Sequence, residues 1–374
     1  MTSGKAAVFL KAGSDFEVRD YEVKAPAKGY ALLALAASGI CGTDIHIADG
    51  RLPIGGPAVI GHEFIGRIAK LGEGVTTDYH GKKIAVGNTV IACIALSCGK
   101  CLNCRKGETA SCMNFGVTNA GDPDDAPHFH GGFAEYLYQP ARTLVRVPEG
   151  VDPLAVASFP CAGPTAIRAF TYGGGVEKGE LVVVQGLGPV GLFAVAWAAS
   201  KGCRVVAVGS GRSPERIAKA ERLGAETVFD YRTVNAEERQ KKVLAIASEM
   251  GRGNGADIVF EASGAPSAIP DGMNLLRTRG RYLIPGQYSS SGKVEISPEL
   301  ITFKALQLIG SGQYTMGDIL TYLDFLRDNP AIAKEFAACV TGRFLVSDAN
   351  KAISAAREGK GIKTVFFSGK CDGT

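Results

Sequence analysis

The chain has 374 residues, of which 46% are hydrophobic, 21% charged and 8% aromatic, close to the average for globular proteins. This composition excludes a disordered or collagen-like chain, and the length predicts two domains, with room for a third. The net charge of +4 comes without a block of like charge, which argues against nucleic-acid binding. Apolar runs such as Ala31–Ala37 are too short for a membrane helix. No apolar stretch follows the amino terminus, so we expect a cytoplasmic protein without a secretory signal.

Glycine and cysteine are both informative. The chain contains 49 glycines, whereas average usage predicts about 26, and the excess indicates many tight turns. Ten cysteines in a long chain of this type indicate metal binding rather than a disulfide framework. Seven of them lie at or before position 161, so we expect the metal chemistry in that part of the chain.

In roughly the first 150 residues, short β-type runs alternate with glycine and proline. This pattern is typical of a mainly antiparallel β domain. The predicted strands are Ala6–Leu10, Tyr30–Ala37, Phe64–Leu71, Val90–Ile94, Phe133–Tyr138 and Leu144–Val147.

From about residue 165, strands alternate with helices, which predicts βαβ units and a parallel sheet. The predicted helices are Thr165–Tyr172, Val190–Ser200, Pro214–Leu223, Glu237–Met250 and Ser267–Leu276. The predicted strands are Leu181–Gln185, Arg204–Gly209, Thr227–Asp230, Ile258–Glu261 and Arg281–Pro285. After about residue 310 the pattern is mixed, and it ends in a predicted strand at Lys363–Phe367. We find no internal repeat and no low-complexity linker.

Four cysteines are clustered within fifteen residues: Cys98, Cys101, Cys104 and Cys112. The two-residue gaps allow a tight loop to place four thiolates tetrahedrally around one Zn²⁺. Because protein fills all four positions, we expect a structural zinc. Two alternatives are four unpaired surface thiols and an iron–sulfur centre, although the usual three-residue step to a final Cys-Pro is missing.

A second ligand set is spread along the chain. It consists of Cys41, His62 in a glycine-flanked turn, and Cys161 where the sequence pattern changes. Each residue alone is weak evidence, because a single buried cysteine is more often a small core residue. Together they provide two thiolates and one imidazole, the ligand set of a catalytic zinc with one open position.

Neighbours of these ligands carry groups that such a zinc can use. A bound zinc lowers the pKa of a hydroxyl and polarises a carbonyl. Glu63 is expected to support a ligand or to bind the ion transiently. The hydroxyl of Thr43 and the imidazole of His46 are expected to relay the proton of a buried alcohol to solvent.

A dinucleotide fingerprint follows the predicted strand Leu181–Gln185 and opens an apolar helix. Its residues are Gly186, Leu187, Gly188, Pro189, Val190 and Gly191. In this strand–turn–helix context the first glycine permits the turn, the second admits the pyrophosphate, and the third allows close helix packing. The alternative is a glycine-rich turn that binds nothing.

The end of the next strand bears on the choice of cofactor. An acidic residue there would bind the ribose of NAD, but the chain has Gly209, Ser210, Gly211 and Arg212. Gly209 has no side chain where the acidic residue would stand, so nothing there repels a phosphate. Ser210 and Arg212 can donate hydrogen bonds to a 2′-phosphate. The sequence therefore favours NADP, with NAD as the alternative if Arg212 is an ordinary surface charge.

These motifs together resemble the zinc-dependent medium-chain dehydrogenase/reductase family, in its alcohol and polyol dehydrogenase branch, over nearly the whole chain. The segments Cys41–His46 and Gly61–Glu63 are similar to its first two ligand motifs. The four-cysteine segment resembles its structural-zinc lobe. Cys161 is similar to its third catalytic ligand, and Gly186–Gly191 to its nucleotide loop.

The resemblance implies roles for residues outside the motifs. Thr165 is expected against the nicotinamide, and Lys363, in the segment Gly361–Val365, is expected to reach the cofactor phosphates. The segments Glu261–Gly264 and Pro285–Gln287 are similar to parts of the family that line the cofactor cleft.

The resemblance also implies an α/β fold. It comprises a GroES-like β catalytic domain and a Rossmann nucleotide-binding domain with a doubly wound parallel sheet, with the active site between them. We assign residues 1–163 and 306–374 to the first domain, with a zinc lobe at 95–115, and 164–305 to the second. A homodimer or homotetramer is implied by the family alone.

The segment Asn114–His130 is long and polar, and we expect it to line the substrate entrance. His130 in this segment either reaches the active site or is simply solvated.

The leading hypothesis is a reversible NAD(P)-linked oxidation of a primary or secondary alcohol, or a polyol, to an aldehyde or ketone by hydride transfer. It requires two Zn²⁺ per subunit and a small-molecule substrate, and it involves neither nucleic acid nor membrane. One alternative is a zinc-ribbon binding module that uses the four-cysteine lobe. Another is a zinc-independent quinone or enoyl reductase on the same fold.

Overall fold

The computed structural model describes residues 2–287, 291–359 and 361–369, which form two compact units. The first unit contains the residues up to Cys161 and those from Thr315 onward, and the second contains Ala162–Tyr314. No helix within the described ranges is both long enough and apolar enough to cross a bilayer.

Strands predominate in roughly the first 150 residues, and strands alternate with helices between residues 181 and 310. The strands are β1 (Ser3–Val8), β2 (Glu17–Glu22), β3 (Tyr30–Gly39), β4 (Glu63–Leu71), β5 (Thr89–Ala92), β6 (Ala95–Leu96), β7 (Gly116–Val117), β8 (Tyr136–Pro140), β9 (Leu144–Arg146), β10 (Leu181–Gln185), β11 (Arg204–Gly209), β12 (Ala225–Asp230), β13 (Ala256–Glu261), β14 (Leu276–Ile284), β15 (Gln307–Gly310), β16 (Val340–Leu345) and β17 (Lys363–Phe367). The helices are α1 (Gly42–Ala48), α2 (Leu102–Arg105), α3 (Pro153–Ser158), α4 (Ala162–Tyr172), α5 (Pro189–Ser200), α6 (Pro214–Arg222), α7 (Ala236–Glu249), α8 (Ala268–Leu275), α9 (Pro298–Lys304), α10 (Met316–Asp328), α11 (Pro330–Ala337) and α12 (Ala349–Glu358).

The first unit is built on a mostly antiparallel sheet of seven strands. Its order is β16-β17-β3-β4-β5-β9, and β8 also pairs with β3. The long strand β3 is almost entirely buried and pairs with β4, β8 and β17. Fully buried aromatic side chains fill the core beside the sheet, among them Phe64, Phe133 and Phe366. The carboxyl-terminal strand β17 is therefore part of the same sheet as the amino-terminal strands.

Some elements of the first unit do not appear in the sequence prediction. Strand β2 has the sequence EVRDYE, which is too polar to show an apolar pattern, and it forms by pairing with β1. Helix α1 is only seven residues long and directly follows Cys41. Tertiary packing, rather than local propensity, accounts for such short or polar elements.

The second unit has a six-stranded, all-parallel sheet with the order β12-β11-β10-β13-β14-β15. Numbered within the unit, this is the 3-2-1-4-5-6 order of a Rossmann fold. Strands β10 and β13 are buried along their whole length, as expected for strands covered on both faces. The predicted α/β fold, with a β-rich unit and a Rossmann unit, is confirmed.

The return of the chain to the first unit lies later than the sequence indicates. We place this boundary at 305/306 from the sequence, but β15 pairs in parallel with β14. The second unit therefore keeps this sixth strand and extends to Tyr314. The strand is short and mostly exposed, so its sequence carries little of the apolar signal that marks the inner strands.

Candidate metal centres and nucleotide loop

The predicted catalytic ligands come together within the first unit. Ligand atoms of Cys41, His62 and Glu63 all lie within 4.8 Å of one another. The thiol of Cys161 forms side-chain hydrogen bonds with both Cys41 and His62. Three segments that are far apart in sequence therefore place two sulfurs and one imidazole in a single cluster.

Electrostatic coupling within this cluster is strong. The hydrogen bond from Cys161 lowers the pKa of Cys41 well below its ordinary value, and the same bond raises the pKa of Cys161. Burial alone would lower the pKa of His62, but the charges of Asp44 and Cys41 raise it. One thiol is thus favoured as a thiolate beside a protonated imidazole, and a divalent metal that binds here would displace the proton of that ring.

Asp44 is a functional candidate that the sequence analysis missed. Its carboxylate is completely buried, and Oδ1 lies 3.3 Å from Nδ1 of His62. The other oxygen accepts a hydrogen bond from the backbone N–H of Cys41 at 2.8 Å. This contact leaves Nε2 of His62 as the nitrogen that can bind a metal. Asp44 lies within the Cys41–His46 motif, but the sequence does not show towards which group the side chain of one residue in a short helix points.

Glu63 and Lys363 form a buried ion pair beside the ligands. The ammonium of Lys363 contacts Oε2 of Glu63 and lies 3.4 Å from the carbonyl oxygen of Ile40. Burial raises the pKa of Glu63 to about 7, although Lys363 opposes this effect. Burial would lower the pKa of Lys363, but the charge of Glu63 raises it. No sequence pattern indicates this pairing of residues 300 positions apart, and the expected contact of Lys363 with cofactor phosphates stays a prediction.

The two residues expected to carry a proton lie on helix α1. Thr43 and His46 are three residues apart and therefore share one face of the helix. The hydroxyl of Thr43 is 3.9 Å from Sγ of Cys41, and both side chains are half-buried. Burial and the charge of Arg51 lower the pKa of His46, which keeps the imidazole neutral and able to accept a proton at neutral pH.

The four-cysteine lobe also converges on one point. The sulfurs of Cys98, Cys101, Cys104 and Cys112 all lie within 4.8 Å of one another. Tetrahedral Zn–S bonds of about 2.3 Å would place the sulfurs about 3.8 Å apart, so the cluster fits one ion. Backbone N–H groups donate to these sulfurs, for example from Cys98 to Cys112 at 3.2 Å, as expected for thiolates. The described cysteines are free of disulfides.

The nucleotide loop in the second unit has the geometry that its glycines require. Gly186 follows β10 with a φ of +93°, and Gly188 precedes α5 in an extended conformation. A Cβ at Gly191 would overlap the carbonyl oxygen of Gly186, so the helix approaches the strand only without a side chain there. Pro189 and Val190 form the first turn of α5, and its free N–H groups suit a pyrophosphate.

The end of β11 bears on the 2′-position of the cofactor. Gly209 is the last residue of the strand, and the side chain of Arg212 in the loop beyond it is exposed. The hydroxyl of Ser210 accepts the N–H of Arg212 at 3.3 Å. Asp230 at the end of β12 also contacts this loop, although no sequence motif indicates it. Its carboxylate accepts the backbone N–H groups of Arg232 and Gly211, and these hydrogen bonds lower its pKa. These hydrogen bonds connect the loop after β11 to the end of β12.

The remaining predicted residues have simpler surroundings. Thr165 is half-buried in the first turn of α4. In the segment 114–130, Nε2 of His130 lies 3.1 Å from the carbonyl oxygen of Asp122 and 3.3 Å from that of Asp125. His130 therefore bonds within its own loop, which gives it a local structural role.

Comparisons with known proteins agree with this architecture. The family model "Alcohol dehydrogenase GroES-like domain" matches residues 27–149, and "Zinc-binding dehydrogenase" matches residues 189–328. The chain is 34% identical to 5-exo-hydroxycamphor dehydrogenase of Pseudomonas putida, over 98% of this chain and 99% of that protein. It is 32% identical to sorbitol dehydrogenase of Halalkalibacterium halodurans, over 97% and 98% of the two chains.

Solved structures show the same similarity over nearly the whole chain. An alcohol dehydrogenase from Thermotoga maritima superimposes with a TM-score of 0.90 at 26% identity, covering 98% of this chain and 100% of that one. A zinc-binding dehydrogenase from Sinorhizobium meliloti bound to NADP has a TM-score of 0.81 at 27% identity, with the same coverage.

The fold and the clustered ligands define an oxidoreductase of the dehydrogenase class. The chain belongs to the zinc-dependent medium-chain dehydrogenase/reductase family, in its alcohol and polyol dehydrogenase branch.

Proposed function

We propose that the chain is a zinc-dependent alcohol dehydrogenase that reversibly oxidises a primary or secondary alcohol, or a polyol, to an aldehyde or ketone with NAD(P). The observation that carries this proposal is the cluster of Cys41, His62 and Cys161 in the first unit. A zinc-ribbon module would not need this cluster, and neither would a quinone or enoyl reductase. Its donor set of two sulfurs and one nitrogen matches a catalytic zinc.

Each residue of the cluster has a distinct role in the proposal. Cys41, His62 and Cys161 hold the zinc, and Asp44 fixes the imidazole of His62 through Nδ1. When bound, zinc supplies Lewis acidity that favours ionisation of an alcohol, and the nicotinamide cofactor accepts the hydride. Lys363 neutralises Glu63, so the negative charge next to the ligands is limited. A second zinc in the four-cysteine lobe gives two per subunit.

The proton of the alcohol leaves through helix α1. Oγ1 of Thr43 lies next to the ligand Cys41 and accepts the proton of the substrate hydroxyl, and it passes its own proton on. His46 on the same face accepts that proton and delivers it to solvent, since its pKa is lowered and its ring is neutral at pH 7.

The second unit holds the cofactor in this proposal. The N–H groups at the start of α5 bind the pyrophosphate, and Ser210 and Arg212 bind the 2′-phosphate of NADP. One feature supports NADP over NAD: strand β11 ends without an acidic side chain.

The test is a set of initial rates with NADP and NAD against primary, secondary and polyhydroxylated alcohols. We expect the His62→Ala and Cys161→Ser variants to lose at least 100-fold in kcat and one zinc per chain. Cys93→Ala, a buried thiol of the same unit outside both clusters, should keep both. Full turnover of His62→Ala after zinc removal would refute the proposal.

The cofactor preference has its own test. Loss of a guanidinium–phosphate pair costs about 1.5–3 kcal/mol, so Arg212→Ala should weaken NADP binding roughly 10- to 100-fold and leave NAD binding unchanged. Arg232→Ala, an exposed arginine near the same loop, is the matched control. A wild-type enzyme that prefers NAD would overturn the assignment of Arg212 and leave the zinc chemistry intact.

The proton relay predicts a pH effect. Burial and the charge of Arg51 lower the pKa of His46, and activity should be lost as the pH falls through that pKa. Arg51→Gln raises the pKa and should move the acidic limb of the kcat profile to higher pH, whereas His46→Gln should flatten it. An unchanged limb in both variants would exclude His46 from the relay.

A further inference from the structure

Glu261 is a buried carboxylate at the end of strand β13. Its side chain has no exposed surface, and Oε2 has no hydrogen-bond partner among the residues that the structure describes. Burying a carboxylate is costly unless other groups compensate the charge. The position therefore requires an explanation beyond the packing of a core residue.

The compensation comes from one tight turn. Oε1 of Glu261 accepts the backbone N–H groups of Ser263 at 2.7 Å and Gly264 at 2.9 Å. It also accepts the hydroxyl of Ser263 at 2.6 Å. Three donors on one oxygen hold the turn 262–264 in place, since charge-assisted hydrogen bonds are about twice as strong as neutral ones.

This turn packs against the first glycine of the nucleotide loop. A Cβ at Gly186 would lie 2.7 Å from both Cα and N of Ser263. The backbone N–H of Ala262 donates to the carbonyl of Gln185 at 2.8 Å. The position of the turn therefore determines where Gly186 can lie, and hence where helix α5 begins.

The same carboxylate contacts the segment that follows β14. A Cβ at Gly286 would lie 2.5 Å from Oε2 of Glu261, and the N–H of Gly286 donates to the carbonyl of Glu261 at 3.1 Å. A further bond, from Nε2 of Gln287 to the carbonyl of Ala265 at 3.1 Å, joins the two segments. Glu261 is thus in contact with both loops at the carboxyl edge of the sheet, where ligands of Rossmann folds bind.

We propose that Glu261 is a positioning residue for the nicotinamide cofactor. Its carboxylate fixes the 262–264 turn between Gly186 and Gly286, and thereby sets the geometry of the phosphate-binding loop without touching the cofactor. The proposal rests on the proposed function, because it assumes that NAD(P) binds at this edge.

The test compares two buried glutamates of the parallel sheet, one at the carboxyl ends of its strands and one at their amino ends. Glu261→Gln should weaken NADPH binding about tenfold, measured by nicotinamide fluorescence, and raise the KM for NADP more than it lowers kcat. Ser263→Ala removes one of the three donors and should weaken binding about threefold. Glu180→Gln is the matched control. Glu180 is also buried, but it lies just before β10, at the amino ends of the strands, and it pairs with Arg281. It should lower the melting temperature and leave the Kd for NADPH unchanged.

The outcomes separate this inference from the proposed function. Wild-type protein that binds neither NADPH nor NADH would refute the proposed function itself. Wild-type binding with an unchanged Kd in Glu261→Gln, even at a lower melting temperature, would overturn the positioning role alone. If Glu261→Gln does not fold, Ser263→Ala decides, and an unchanged Kd in that variant overturns the role.

Discussion

At the scale of single residues, Asp44 shows how one buried side chain organises the candidate metal centre. One carboxylate oxygen holds the backbone of Cys41 and the other faces the ring of His62. Two ligands from separate segments are therefore oriented by the same group. Partners of this kind fix the tautomer of a ligating histidine and raise its basicity.

We expect Asp44→Asn to weaken zinc binding at the Cys41–His62–Cys161 cluster about 10- to 100-fold, because an amide cannot replace both contacts of the carboxylate. Competition with a chelator measures this change. Asp49→Asn is the control, since Asp49 follows the same helix but pairs with Arg51 and Arg357 at the surface. Equal zinc affinity in the two variants would contradict the role of Asp44.

At the scale of elements, we expect the fold of the four-cysteine lobe to depend on a bound metal. Helix α2 has only four residues, and strands β6 and β7 have two residues each. Leu102, Met113 and Phe115 are exposed, so the lobe has little apolar core of its own. A metal is expected to supply the missing stability, as in other small metal-bound segments.

Cys104→Ser should reduce the zinc content from two to one per chain and lower the melting temperature, because three thiolates bind the ion less tightly. Elemental analysis and thermal denaturation provide the readouts. Lys100→Ala changes an exposed side chain between two of the ligands and should leave both values unchanged. Two zinc ions in Cys104→Ser would show that this cluster is not a four-ligand site.

In the second unit, Asp257 on β13 forms hydrogen bonds with residues of the neighbouring strands β10 and β14. Its buried carboxylate accepts hydrogen bonds from Arg252 at 2.7 Å, Arg277 at 2.6 Å and the backbone N–H of Leu181 at 2.8 Å. Burial alone would raise the pKa of Asp257, but these partners lower it. The carboxylate therefore stabilises the folded state at pH values above its unfolded pKa of about 3.9.

This stabilisation should disappear as the pH falls through the lowered pKa of Asp257. At pH 7, Asp257→Asn should lower the free energy of unfolding by about 2 kcal/mol, and the difference from the wild type should shrink in acid. Denaturant unfolding at several pH values measures this. Glu237→Gln, at an exposed ion pair with Lys241, should have little effect. A difference that does not depend on pH would contradict the role of the charge.

At the scale of the whole molecule, the edge of the six-stranded sheet bears on assembly. Strand β15 ends the sheet without a lysine or proline, and Leu308 on it is 37% exposed. The side chain of Phe303, in the helix before it, is 83% exposed. Unprotected edge strands of this kind pair readily with another strand. We propose that this edge takes part in a homodimer or homotetramer.

Light scattering should therefore give a mass of two or four times the 39.0 kDa chain. Leu308→Lys places a charge on the edge and should produce monomers. Val86→Lys, at an exposed valine of the other unit, should not. A monomeric wild type would refute the assembly, and an unchanged oligomer in Leu308→Lys would place the interface elsewhere.

The order of elements in the second unit followed from local sequence. The bounds of β10 and β11 in this unit, and of β17 in the first unit, match the predicted strands residue for residue, because continuous apolar runs and glycine turns are local signals. The polar strand β2 and the exposed strand β15 carry no such signal. Strand β2 was not predicted, and β15 was assigned to the first unit although it belongs to the second. For the candidate site, donor chemistry and the resemblance to a dehydrogenase family led us to select Cys41, His62 and Cys161.

Sequence alone determined which residue types are available for zinc and for the dinucleotide, since both chemistries depend on short motifs. Tertiary structure decided how those groups are supported. Lys363 pairs with Glu63, which lies 300 positions earlier in the chain. Asp44 faces His62, and the carboxylate of Asp230 packs against Gly211. Such contacts depend on strand register and helix packing between distant segments, which residue spacing along the chain does not encode.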